Sequence, residues 1–164
     1  MQGGAVGRRS MVSAIAVMMV CGAAGAAPQV RPYADERAAI AACAARPDVA
    51  IEQCAGIFAA PCLARPGGET TAGAIACFSA AGAVWDDLLT DTLAAVAAAQ
   101  VGQAQRRALD TAQSRWRAWR EAECAYAAAR FAGGSLAGVA RAGCLHDETA
   151  RRTLKLMRSA NDAD

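Results

Sequence analysis

Lysine is almost missing from this 164-residue chain: Lys155 stands alone, as does the single histidine, His146. Aromatic residues make up only 5%, and runs of β-branched residues are scarce, which disfavours a β-sandwich. No glycine repeat of the collagen kind occurs, and little of the chain is low-complexity polar sequence. The catalytic signatures are missing too. There is no G-x-S-x-G elbow, no phosphate-binding G-x-x-x-x-G-K-[ST] loop and no H-E-x-x-H zinc helix. No C-x-x-C pair occurs either, so cysteine and histidine do not present metal-ligand spacing. A lone histidine, directly after Leu145, reads as a surface or helix-start residue. These absences leave no catalytic, cofactor-binding or metal-ligating residue to name, and the chain reads as a non-enzyme.

What is abundant is alanine, 46 residues of it, within an apolar fraction of 55%. An alanine-lined helix buries little area, and burial yields roughly 25 cal/mol per Å². The core must therefore be thin, with a few large side chains or cross-links adding stability. Seven cysteines supply the cross-links.

Residues 1–26 read as a signal peptide. Arg8 and Arg9 begin it, Met11 to Val20 form an apolar run, and Ala24-Gly25-Ala26 offers a cleavage site near Ala26. That run is only about half of the roughly twenty residues a membrane span requires, so no stable membrane insertion is expected after cleavage. Cys21 raises the lipoprotein alternative, but Val20 stands where a small residue is needed. Without the leader, the formal charge of +2 becomes zero, and six cysteines remain: Cys43, Cys54, Cys62, Cys77, Cys124 and Cys144. An even number in a periplasmic or secreted chain points to disulfides. Sequential pairing, Cys43–Cys54, Cys62–Cys77 and Cys124–Cys144, would staple one turn each; Cys54–Cys77 is the rival pairing.

The pattern predicts a helix over 34–45 and a second from Pro47 to about Ala59. A loop follows from Pro61 to Thr70 around Pro66-Gly67-Gly68. A long helix capped by Thr70 or Thr71 extends to about Gln100, with Ile75, Phe78, Trp85, Leu88, Leu89 and Val96 at helical spacing. A second long helix spans about 103–131 and carries Leu109, Trp116, Trp119 and Tyr126, with Trp116 and Trp119 expected in the core. Gly133-Gly134 ends it. A short helix toward Cys144 and a final one over 147–158 complete the chain, with a frayed tail at 159–164. The fold class is thus all-α: a small disulfide-stapled helical bundle built on a long antiparallel helix hairpin. Residues 27–61 form an N-terminal helical pair with cysteines, and 62–158 form the main domain.

Charge is split along the chain. Residues 27–100 hold four arginines against eight acids, and residues 101–164 hold eleven basic groups against seven acids. Two opposite halves attract when packed; the alternative is a bipolar surface that selects a charged partner. With mature neutrality and one lysine, that partner is not expected to be nucleic acid.

The pattern Gln113-x-x-Trp116-x-x-Trp119-Arg120-x-x-x-Cys124, followed by a Gly-Gly-Ser turn and Cys144-Leu145-x-x-x-Thr149-x-x-Arg152, resembles the C-terminal half of the LprI-type lysozyme-inhibitor domain. Upstream, Gly67-Gly68-x-Thr70-Thr71, Cys77 and Trp85-Asp86-x-x-Leu89 resemble its beginning. The resemblance covers about residues 62–156. The chain departs from the family where Leu-Asn-x-x-Tyr is usual, having Leu89-Thr90-Asp91-Thr92-Leu93. The resemblance implies an exported helical protein that binds a lysozyme or another cell-wall muramidase by protein–protein contact. Lysozymes are typically basic, so Glu52, Glu69, Asp86, Asp87 and Asp91 are the candidate contacts. The competing expectation is a non-inhibitory helical scaffold or binding module of the envelope.

Overall fold

The computed structural model describes Met1, Gly3 and residues 34–161. The expected leader, with Cys21 and the Ala26 cleavage site, lies outside the described residues apart from Met1 and Gly3. Five helices follow one another: α1 (Ala34–Ala44), α2 (Ile51–Leu63), α3 (Thr71–Ala99), α4 (Gln103–Ala129) and α5 (Leu136–Asn161). Among the described residues there is no strand. Cys43 is bonded to Cys54, Cys62 to Cys77 and Cys124 to Cys144.

Helix α2 starts later and ends later than its sequence pattern predicts. Val49, only 9% exposed, is drawn into the core, so the Arg46-Pro47-Asp48 segment remains a turn and Ala50 becomes the N-cap. Pro61 then sits inside the last turn of α2 instead of opening the loop. The loop itself is closed by backbone contact. Gly67 has φ of 85°, a conformation that L side chains resist. A Cβ on Gly68 would lie 2.6 Å from the carbonyl oxygens of Cys62 and Leu63. Thr70 then caps α3: its hydroxyl accepts from the Gly73 N–H at 3.0 Å and donates to the Gly67 carbonyl at 2.7 Å.

Helix α5 is continuous, where two helices separated near Leu145 are expected from the pattern. No glycine or proline interrupts residues 144–158. Within it the Thr149 and Thr153 hydroxyls donate back to the Leu145 and Thr149 carbonyls at 2.6 and 2.8 Å, so both polar groups are satisfied though buried. The helix also includes Ser159 to Asn161 of the expected tail.

Helices α3 and α4 run antiparallel, with Asp86 opposite Arg120. Direct backbone contact between them is nevertheless slight. Both pack chiefly on α5, and α3 most extensively. The α3–α5 pair is parallel: Ile75 lies against Gly138, Phe78 against Gly143 and Gly82 against His146. The missing side chains let the two backbones approach. Helix α3 has the length and composition of a membrane span, yet Trp85, Leu88 and Leu89 on it are buried inside the bundle.

The core joins all but α4. Ile40 and Ala44 of α1, Val49, and Cys54 and Ala55 of α2 pack with Val84, Trp85 and Leu88 of α3 and Ala150 and Leu154 of α5. Trp85, Ile40 and Leu154 are fully enclosed. The expected N-terminal pair therefore shares its core with the long helices, and the described residues 34–161 belong to one compact unit. Arg158 reinforces this join. Its guanidinium donates to the carbonyl of Ala44, the last residue of α1, at 3.3 Å, and to those of Arg46 and Val49 in the turn that follows, at 3.3 and 2.7 Å.

Candidate functional site

The polar residues of the α4 pattern recur at steps of three and four, so Gln113, Trp116, Arg120 and Cys124 share one helix face. The structure turns that face onto α5 and α3. Arg120 reaches both: one guanidinium nitrogen donates to Asp86 Oδ1 at 2.9 Å and to Thr149 Oγ1 at 2.7 Å. The same guanidinium lies 5.0 Å from the centre of the Trp116 ring. Arg152 approaches that ring at 5.9 Å, while its Nε donates to Gln113 Oε1 at 3.1 Å. Trp116 is thus flanked by two guanidinium groups, a cation–π arrangement strengthened by partial burial. Burial also pulls the Arg152 guanidinium below its ordinary value. At the next turns Cys124 is bonded to Cys144, and Arg141 pairs with Glu121 at 2.8 Å.

This cluster holds helices together. It contains no nucleophile paired with a base, and its guanidinium groups are engaged with protein partners. Among the described residues, no group of three or more His, Cys, Asp or Glu could hold a metal.

Of the other pattern residues, Trp85 and Leu89 are buried in the bundle, Thr70 caps α3, Thr71 begins it, and Leu145 is half-buried. The acidic candidates divide. Asp86 is paired with Arg120, Asp91 with Arg37 at 2.7 Å, and Glu52 faces Arg151 at 3.7 Å. Glu69 and Asp87 are exposed and make no ion pair among the described residues. The Asp86–Arg120 and Glu52–Arg151 pairs cross between the acidic and basic halves of the chain, which is the attraction that packed opposite halves should show.

Two aspects of the site differ from sequence expectation. Trp119 is not in the core: it is 47% exposed, and Tyr126 on the same side of α4 is 64% exposed. The α4 face that packs is centred on Gln113 and Cys124, so residues around 115, 119 and 126 fall on the side turned away from it. His146 is not at the surface. It is 2% exposed in the middle of α5, its Nδ1 is 2.8 Å from Asp147 Oδ1, and its ring sits 5.6 Å from Phe78. Only the continuity of α5 places it there, a property that the residues next to it do not signal. Beside it a 230 Å³ cavity lies between α2, α3 and α5.

The family model of lysozyme inhibitor LprI matches residues 62–156. Neither a curated protein nor a solved structure matches the chain. The matched segment includes two of the three disulfides and the whole Trp116 clamp, from Asp86 to Arg152. By that segment, more than half its length, the chain belongs to the LprI lysozyme-inhibitor family.

Proposed function

We propose that this protein acts outside the cytoplasm, in the periplasm or as a secreted protein, and inhibits a lysozyme or related muramidase by direct contact. The observation that carries the reading is the family match over the segment that builds the α3–α4–α5 body. Its physical support is rigidity. A domain cross-linked three times and clamped by Arg120 and Arg152 loses little conformational entropy when a partner docks. The disulfides also suit an oxidising compartment. In this reading the role is binding, with no turnover of its own. Glu69 and Asp87 are the acids available to attract a basic enzyme, since Asp86 and Asp91 already serve internal pairs.

The test is a panel of lysozymes of several types, assayed with the oxidised protein comprising residues 27–164. Inhibition of at least one at micromolar concentration, abolished by reduction of the disulfides, is the expected result. Failure to inhibit or bind any of them would replace this reading with that of a non-inhibitory envelope module.

A further inference from the structure

Helix α2 turns small residues toward α5. Ala55, Gly56, Ala59 and Ala60 recur at helical spacing between Glu52 at one end and Leu63 at the other. So shallow a face does not reach Phe78 on α3 or His146 on α5, and the 230 Å³ cavity is the result. A Cβ on Gly56 would meet no atom within 4 Å.

The imidazole of His146 forms part of the cavity wall. Its Nδ1 is 2.8 Å from Asp147 Oδ1. The carboxylate accepts the proton of that nitrogen, so in the neutral ring Nε2 is a lone-pair acceptor. This Nε2 is buried and has no hydrogen-bond partner among the described residues. An acceptor kept from water costs free energy until a donor meets it.

Charge at the mouth narrows the choice of donor. Arg151 is held by Glu148 at 2.6 Å and only loosely by Glu52, at 3.7 Å. With the guanidinium neutralised by Glu148, the carboxylates of Glu52 and Asp147 remain as excess negative charge; their side chains are 66% and 50% exposed. They repel an anion, and a neutral alcohol would make no use of them. A metal ion needs converging donors, and no three such groups converge among the described residues. An ammonium group suits both features. Its N–H donates to Nε2, and the carboxylates balance its charge. The Phe78 ring, 5.6 Å from the imidazole, offers a further face to a cation.

We infer that this cavity is a binding site for a primary alkyl amine, free or carried as a lysine side chain. The alkyl stem lies along the alanines of α2, and the ammonium meets His146 and the carboxylates. Such a site stands whether or not the protein inhibits a lysozyme.

His146 is the only histidine in the chain, so its ring signals in NMR spectra report on this cavity alone. n-Butylammonium chloride, titrated into the oxidised protein at constant pH and ionic strength, should shift those signals saturably, with a Kd below about 10 mM. n-Butanol and butyrate should bind at least about tenfold more weakly. Glu52→Gln, at an exposed position, should weaken the amine about threefold or more. Gly56→Leu, which places a side chain in open space, should abolish binding while circular dichroism verifies the fold. No shift up to about 100 mM amine, or butanol bound as tightly as the amine, would overturn the inference. Shifts that survive in Gly56→Leu would also overturn it, since the amine would then sit elsewhere. Where the protein binds a lysozyme, competition by butylamine and loss of binding after acetylation of the enzyme's lysines assign the site to a partner's lysine. Lysozyme binding indifferent to both treatments assigns it to a free amine. A protein that takes the amine but binds no lysozyme overturns the inhibitor reading alone.

Discussion

Arg120 stands on α4, and its hydrogen bonds reach α3 through Asp86 and α5 through Thr149. Its side chain is 14% exposed, whereas that of Asp86 is 58% exposed. The two ends of this ion pair therefore matter unequally. A half-solvated carboxylate contributes little, because water competes for it and salt screens it. The guanidinium also covers the Trp116 ring and satisfies a buried hydroxyl. Arg120→Ala should cost about 2–4 kcal/mol in urea denaturation, and Asp86→Asn no more than about 1 kcal/mol. Equal losses would show that the ion pair itself dominates. The helical spacing of Gln113, Trp116, Arg120 and Cys124 was legible in the sequence because a period of three and four fixes a common face. Which residues meet that face was not legible, since this depends on how far α5 slides along α4. The exposure of Trp119 was hidden for a related reason: residue type alone does not tell a tryptophan's outward position from a core position.

At the level of the element, the α2–α3 loop is the most constrained piece of backbone. Gly68 sits against two carbonyl oxygens of the last turn of α2, and neither can move without disturbing the Cys62–Cys77 bond beside it. Gly68→Ala should lower stability by more than about 2 kcal/mol, measured as a drop in melting temperature. Gly56→Ala, with open space around it, should be neutral or slightly stabilising. Most helices were readable in advance: strong punctuation at Gly67-Gly68, Gly102 and Gly133-Gly134 marks where α3 and α4 begin and end. Weak punctuation misled. Pro47 suggested a helix start, but burial of Val49 moved the start to Ile51, and the Leu145-His146-Asp147 segment carried no breaker to divide α5. A helix boundary is decided locally only when a residue forbids the alternative.

On the scale of the whole molecule, α1 and all of α2 before Cys62 lie outside the family segment yet complete the core around Trp85. Arg158, which binds carbonyls of the last residue of α1 and of the turn after it, lies just past that segment as well. Arg158→Ala should cost about 1–3 kcal/mol and raise hydrogen exchange selectively in α1 and the turn after it. Uniform acceleration through α3 and α4 would show instead that Arg158 supports the entire bundle. The sequence indicated an all-helical, cross-linked body, but not that the last helix would lie at its centre. That arrangement sets an order of events. The Cys43–Cys54 and Cys62–Cys77 rings span only 11 and 15 residues and can close before α4 and α5 are in place. Helices α1 and α2 cover part of the apolar side of α3 around Trp85, but the rest waits for α5, which begins only at Leu136. Native packing of α3 is thus completed only once α5 has been made, and until then the chain carries a long apolar helix that is only partly covered.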